Sequence, residues 1–253
     1  TVVITNGQVV KNESTIEYTD HTVKFENGKA EAGFVDYLDS EKVSFTWSMI
    51  DKITPRPDAS VEKILEADGI EELEPVVTSK NTWVAPFVNA EETEYLVIED
   101  AFPNGRNEAL EKGGLMFTER ETVDKVEKMK VCTCLNPLHT TLAVFGCILG
   151  YDLISKEMQN PSLKKLVEGV GYVEGLPVVI NPGIMDPKEF IDAVVNVRIP
   201  NPFMPDAPQR ISMDTSQKLP IRFGETLRKY AERGLDKSNL VLIIASFVES
   251  HAA

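Results

Sequence analysis

Apolar positions change period part-way along the chain. In the first half they come in short, strand-like runs. Thr15–Thr19, Thr22–Phe25, Val76–Val77, Trp83–Val84 and Tyr95–Ile98 read as strands, with Asn27-Gly28 available as a turn. A helical reading of part of the first 45 residues stays open. Val61, Ile64 and Leu65 suggest a short helix over Ser60–Ala67, closed by Gly69. Turn-forming residues separate these pieces, among them Thr78-Ser-Lys-Asn81, Asn89 and Pro103-Asn-Gly105. This half is expected to be α/β.

Helical spacing takes over in the second half. Thr118 and Glu121 fit a capping box, followed by Val123, Val126 and Met129. Asn136-Pro137 predicts a helix start with Asn as N-cap and Pro in the first helical position. Leu138, Leu142, Phe145 and Leu149 then form one apolar stripe, which Gly150 ends. Asp186-Pro187 predicts a second such start, carrying Phe190, Val194 and Val197. Prolines 200, 202, 205 and 208 are expected to hold an extended loop. Further helices are expected from about Pro220 to Arg233 and from Ser238 onward. The change of character puts a domain boundary near residue 124, separating 1–123 from 124–253.

Composition narrows the function classes. The chain has 42% hydrophobic residues, enough for an ordinary core. Its longest apolar stretch, Leu240 to Val248, is interrupted by Ser246 and falls short of the ~20 residues a membrane span needs. Thr1 to Val10 lacks the pattern of a signal peptide, so a cytoplasmic protein with no membrane partner is expected. The net charge of −14 argues against nucleic acid. It leaves an anionic small molecule open, because a pocket needs only two or three local cations. Cys132, Cys134 and Cys147 match neither a zinc spacing nor a disulfide framework, so buried thiols and no metal are expected.

Few residues invite chemistry. His139 falls in the first turn of the Asn136-Pro137 helix, where the dipole disfavours a protonated imidazole. Ala143, Gly146 and Gly150 share its face and would let a ligand or another backbone approach. The plainer alternative is a histidine packed against a neighbouring helix. Lys130 becomes a base only if burial or charge lowers its pKa; otherwise it is a solvated helix end. Arg210 and Asp214-Thr-Ser-Gln-Lys218 could equally be capping groups and a surface pair. Gly169-x-Gly171-x-x-x-Gly175 follows a helical segment, Leu163–Val167, and its third glycine is displaced. It reads as a helix stop and turn rather than a dinucleotide fingerprint. The Gly28 to Gly33 spacing lacks the Lys-Ser/Thr of a phosphate loop.

Four segments in order resemble one family. They are Phe45-Thr-Trp-Ser-Met-Ile-Asp-Lys-Ile-Thr-Pro-Arg-Pro57, Ile98-Glu-Asp-Ala-Phe-Pro-Asn-Gly-Arg106, Met129-Lys-Val-Cys-Thr-Cys-Leu-Asn-Pro-Leu-His139, and Asn201-Pro-Phe through Arg210 to Lys218. Together they resemble the mannitol dehydrogenase family of polyol and uronate dehydrogenases, over roughly residues 30–245. The resemblance is strongest to its mannonate-oxidising, fructuronate-reducing branch.

The resemblance implies an incomplete Rossmann-type domain over 1–123. A mostly helical substrate domain, similar to the C-terminal domain of 6-phosphogluconate dehydrogenase, would follow over 124–253. It implies a metal-independent, NAD(H)-linked enzyme acting on a sugar acid or polyol. D-fructuronate/D-mannonate stand ahead of fructose/mannitol as its substrates. A catalytically silent helical module is the alternative of another class. By motif, Lys130 would be the general base, Asn136 would bond the reacting oxygen and His139 would orient substrate hydroxyls. Asp51, Arg210 and Lys218 would line the sugar, and Glu127 would relay the proton. For a substrate carboxylate Arg210 is the expected partner, with Lys218 and Arg222 close behind in sequence. Lys130 stands six residues before Asn136, where the family pattern has five, so an extra residue must be absorbed ahead of the helix. Asn6-Gly7 only hints at a second oxyanion-binding asparagine, which is not assigned. The glycine-rich nucleotide-binding turn is absent. A fragment, with little activity by itself, is therefore expected.

Overall fold

The alternating segments near the start pair as period-two segments should. In the computed structural model, β1 (Val3–Thr5), β2 (Gln8–Lys11), β3 (Ser14–Thr19) and β4 (Thr22–Phe25) form an antiparallel meander in chain order. Its register puts Ile16 opposite Phe25 and Tyr18 opposite Val23. The structure describes residues 3–5, 8–11, 14–19, 22–25, 33–52, 57–88, 90, 95–204 and 206–235. The expected Asn27-Gly28 turn, Asn6-Gly7, Asn89, Pro205 and the helix expected from Ser238 lie outside the described residues.

Next along the chain come α1 (Phe34–Leu38), β5 (Ser48–Asp51), α2 (Ala59–Ala67), β6 (Val76–Val77), β7 (Trp83–Val84), β8 (Tyr95–Glu99), α3 (Ala109–Lys112) and β9 (Met116–Thr118). The α2 helix starts one residue before its expected position. The Asp58 carboxylate caps it by accepting from Ser60 N–H at 2.8 Å, and Gly69 follows its end at φ 83°. Two units emerge: a smaller one of residues 1–47 and 98–120, and a larger one of 48–97 and 121–253. The expected boundary near 124 is close to the last junction, but residues 48–97 group with the C-terminal part. Residues on both sides of the Val97/Ile98 division belong to strand β8.

In the smaller unit the Ile98–Arg106 motif builds structure. The Arg106 guanidinium donates to both oxygens of Asp100 at 3.0 and 2.9 Å, bonds Glu111, and stands 3.8 Å over the Phe117 ring. Arg120 pairs with Glu99, donates to Phe45 O at 2.9 Å and covers the Trp47 ring.

The larger unit is dominated by helices. Here α4 (Arg120–Met129) leads through a π-helical turn, Lys130–Cys134, into α5 (Asn136–Leu149). Val123, Val126 and Met129 are buried, as their spacing predicts. The capping box is not where the sequence suggests it. Thr118 is the last residue of β9, its carbonyl accepts from Asp100 N–H, and α4 begins at Arg120. Leu138 and Leu142 are fully buried and Phe145 half-buried, but Leu149 is exposed because the last turn runs past its packing neighbours. Gly150 ends α5 in the left-handed region at φ 77°. The stretch Arg120–Leu149 is long and apolar enough to cross a membrane by length and composition. Two-thirds (67%) of that apolar window is buried within the protein, which suits a core helix equally.

Behind it lie α6 (Ile154–Glu157), α7 (Pro161–Glu168), α8 (Pro187–Ala193), α9 (Pro208–Ile211), α10 (Thr215–Arg222) and α11 (Gly224–Glu232). Asp186 caps α8 as expected, accepting from Lys188 and Glu189 N–H at 2.6 and 3.2 Å. Four expectations are corrected. Gly169 and Gly171 do not stop a helix. They carry α7 on into a second π-helical segment, Gly169–Gly175. There Gly171 lies against Ile191 and Leu138, and Gly175 against Thr133. A third π segment, Val194–Arg198, turns Val197 off the apolar face, and it is exposed. Pro208 begins α9 rather than extending the loop, and Pro220 sits inside α10 rather than at a helix start.

Candidate active site

Lys130, Asn136 and His139 belong to one continuous helical stretch. Leu135 N–H donates to Lys130 O at 3.1 Å, the i→i+5 bond of a π turn, and His139 N–H donates to Leu135 O at 3.1 Å. A π turn holds one residue more per hydrogen-bonded ring than an α turn. That is the accommodation the six-residue Lys130–Asn136 spacing asks for. Neighbours fix the turn. Thr226 of α11 donates its hydroxyl to Cys132 O at 3.0 Å, and a Cβ at Gly175 would sit only 2.9 Å from Thr133 Cγ2.

Asn136 differs from its expected role. Leu135 is the N-cap, Asn136 lies inside the helix, and no side chain caps this end. The π turn runs straight into α5, leaving no extended residue at 136 for a cap. Asn136 Oδ1 is buried without a hydrogen-bond partner among the described residues. An unmatched buried carbonyl is costly, so such groups in native proteins call for an explanation.

His139 is largely covered, and its Nε2 lies 3.2 Å from Asp206 Oδ2. The other oxygen of Asp206 takes the Arg210 guanidinium, through Nε at 3.1 Å and through Nη2. Burial pushes the Asp206 pKa up, but the bonds from His139 and Arg210 outweigh it and hold the carboxyl below its usual range. Asp206 thus carries a charge that orients His139. The sequence reading missed it, although its position four residues before Arg210 signals an i,i+4 ion pair. Leu135, His139, Ile154, Arg198, Ile199, Met204 and Asp206 line a cavity of about 20 Å³, room for about one water molecule.

The other expected residues divide. The Lys218 amine is committed to main chain, donating to Ile211 O at 2.9 Å and Met213 O at 2.5 Å. Arg222, four residues on, donates from Nη1 to Thr140 Oγ1 at 2.5 Å, and that hydroxyl donates to Asn136 O at 2.8 Å. Glu127 is exposed and lines a separate groove of about 480 Å³ with Lys128, Val131, Cys132, Pro220, Ile221, Glu225 and Arg228. Asp51 ends β5, and its side chain lies outside the described residues. Lys128, two residues before Lys130, pairs with Asp124 at 2.6 Å, and that hydrogen bond raises its pKa. Lys130 is half-buried at the start of the π turn. The small face below His139 is not open to a ligand at Gly146, where the Glu157 carboxyl fills the space a Cβ would need. Cys132 and Cys134 are buried free thiols; burial above all pushes them up to about 11 and about 12. Among the described residues no group of three potential metal ligands occurs.

Comparison with known proteins places this arrangement. Residues 122–252, more than half of the chain, match the mannitol dehydrogenase C-terminal domain. The chain belongs to the mannitol dehydrogenase family. Among its relatives is a D-mannonate oxidoreductase of Thermotoga maritima, 58% identical over 220 residues that cover 86% of this chain and 40% of that protein. A polyol:NADP oxidoreductase of Gluconobacter oxydans is 30% identical, covering 83% of the chain and 40% of the relative. The fold is similar to a substrate-free D-sorbitol dehydrogenase, with TM-score 0.72, 27% identity, 85% of this chain and 41% of the other. A Pseudomonas fluorescens mannitol 2-dehydrogenase, solved with NAD and D-mannitol, gives TM-score 0.63 at 26% identity, with 87% and 41% covered. The chain therefore spans about 40% of the length of these family relatives, and its second half corresponds to their C-terminal domain.

Proposed function

We propose that this chain supplies the substrate-binding and proton-transfer part of an NAD(H)-linked oxidoreductase that interconverts a hexuronate and its aldonate. D-Fructuronate and D-mannonate are favoured over fructose and mannitol, in line with the 58% identity to a D-mannonate oxidoreductase. The observation that carries the reading is the Asn136 side-chain oxygen, buried without a hydrogen-bond partner among the described residues, one turn from His139 and one π turn from Lys130. A substrate hydroxyl satisfies that oxygen. With the amide turned over, its N–H groups meet the alkoxide charge that develops at the reacting carbon.

In this reading Lys130 accepts the hydroxyl proton in oxidation and returns it in reduction. His139, oriented by Asp206, bonds a neighbouring hydroxyl. Arg210, Lys218 and Asp51 line the sugar, and exposed Glu127 passes the proton to solvent. Bound NAD(H) would supply hydride transfer. The described residues offer its pyrophosphate no glycine cradle, since Gly171 and Gly175 are packed against Ile191 and Thr133. The cofactor is therefore assigned to parts of a longer protein, with the α/β segments before residue 124 as the end of a Rossmann-type domain.

The test is NADH-dependent reduction of D-fructuronate by the full-length protein carrying this chain. Lys130→Ala should lower kcat by on the order of 10²–10⁴, with KM changing far less. Near-normal turnover in that variant, with turnover lost in Lys128→Ala, would overturn the assignment. No turnover of any uronate or polyol would favour the silent helical module.

A further inference from the structure

Among the described residues Arg222 is a half-buried arginine with no carboxylate partner, whereas Arg233, bonded to the Pro177 carbonyl, is exposed. The protein has 40 acidic residues against 26 basic ones, so carboxylate partners are plentiful. Arg106, Arg120, Arg210 and Arg228 each hold one. Arg222 is half-buried, yet its five donors meet one neutral acceptor among the described residues, Thr140 Oγ1. Burial without a counter-charge works against its protonated form and lowers its pKa. A desolvated guanidinium left without an anion is expensive to keep, and it is retained where something else completes it.

Its position says what that is. Arg222 ends α10 and reaches across to α5, where Thr140 is fully buried and bonded to the backbone carbonyl of Asn136. Asn136 and Thr140 are one helical turn apart and His139 lies between them, so the guanidinium stands beside the face bearing the proposed reacting site. The two other cations that the sequence offers for a substrate carboxylate, Arg210 and Lys218, already have partners. Arg210 already serves the Asp206 carboxylate, and Lys218 is held by two main-chain carbonyls, Ile211 O and Met213 O.

We propose that Arg222 is the residue that reads the carboxylate of a sugar-acid substrate, and so sets the enzyme's preference for aldonates and uronates over neutral polyols. This rests on the oxidoreductase reading above. A planar guanidinium takes a carboxylate in two parallel charge-assisted bonds, while a terminal CH₂OH offers one neutral oxygen. Thr140 holds the guanidinium plane in place, so the fork is oriented before substrate arrives.

D-Mannonate and D-mannitol differ only in a carboxylate against a CH₂OH, which makes them the natural pair of probes. In the full-length protein carrying this chain, with NAD, Arg222→Met should raise KM for D-mannonate by on the order of ten- to a hundredfold. KM for D-mannitol should move by less than about threefold, and kcat for D-mannonate should change less than its KM. Arg222→Lys, which keeps the charge but not the fork, should fall between. Thermal unfolding should show Arg222→Met at least as stable as the wild type, because an uncompensated charge has gone. If Arg222→Met does not fold, the lysine variant decides: an unchanged mannonate-to-mannitol preference in it overturns the proposal. Parallel KM changes for both substrates overturn it too, while leaving the oxidoreductase reading intact. If the wild type turns over neither substrate, that reading fails, and calorimetric titration with D-mannonate tests the site alone. Binding lost in Arg222→Met supports the anion site, whereas binding that survives, or is absent from the wild type, refutes it.

Discussion

Glu157 offers the sharpest quantitative test. It lies on α6, fully buried, with both carboxylate oxygens lacking hydrogen-bond partners among the described residues. Its carboxyl rests on the Cα of Gly146 in the middle of α5. Burial alone pushes its pKa from 4.5 to about 8. The folded state therefore keeps a proton that the unfolded chain releases above pH 4.5. Below that pH both states are protonated and Glu157 costs nothing through ionisation. Between pH 4.5 and 8 stability falls by about 1.4 kcal/mol per pH unit, and above 8 the full penalty is present. Those three and a half units give roughly 5 kcal/mol in all, and about 3 kcal/mol at pH 7. Glu157→Gln keeps the shape and removes the titration. In urea unfolding at pH 5, 6, 7 and 8, variant and wild type should nearly coincide at pH 5. The variant should then gain steadily, by about 1.4 kcal/mol per unit up to pH 8. All other groups titrate alike in both proteins, so the difference isolates this one. A difference that stays constant with pH would refute the assignment of a buried, protonated carboxyl.

Two further outcomes follow from the packing. Asp206→Asn should leave His139 without its anionic partner. NMR of the ring nitrogens should then show a weakened hydrogen bond at Nε2, and kcat/KM of the full-length enzyme should fall by on the order of tenfold or more. Gly146→Ala should destabilise the protein by about 1–3 kcal/mol despite alanine's better helix propensity, since its Cβ would overlap the Glu157 carboxyl. Shortening Glu157 to Ser in the same chain should return most of that loss, and additive losses would rule out the overlap.

Local chemistry explains which elements were legible in the sequence. Asp186-Pro187 and Gly150 carry their own instructions, a side chain that caps orphan N–H groups and a residue that tolerates positive φ, so these ends lie where expected. The paired strands at Trp83–Val84 and Val76–Val77 were readable from turn residues on either side. The capping role of Asn136 was misread because the same Asn-Pro pair serves a helix entered from another helix. There the preceding residue is not extended, and the pair alone does not show which case applies. Leu149 and Val197 have the right spacing for a buried face. Whether a neighbour covers that face depends on residues far away in sequence.

The π turns mark the deeper limit. Three of them, at Lys130–Cys134, Gly169–Gly175 and Val194–Arg198, follow directly on α-helices and sit in or beside the core. Nothing in Val-Cys-Thr-Cys favours an i→i+5 bond over i→i+4, so no propensity argument finds the first one. It is held from outside, by Thr226 on a carbonyl of the turn and by Gly175 packed on Thr133. What the sequence did hold was a mismatch, six residues where the family pattern has five between lysine and asparagine. An extra residue in a helix that must still present both ends has two outlets, a looped-out bulge or a widened turn. Burial decides between them. Cys132, Thr133 and Cys134 are all buried, and a looped-out residue there would carry main-chain groups away from their partners. The widened turn keeps Leu135 N–H bonded to Lys130 O and absorbs the residue within the helix. A spacing anomaly next to proposed catalytic residues is thus a structural instruction, readable once the surrounding residues are known to be core.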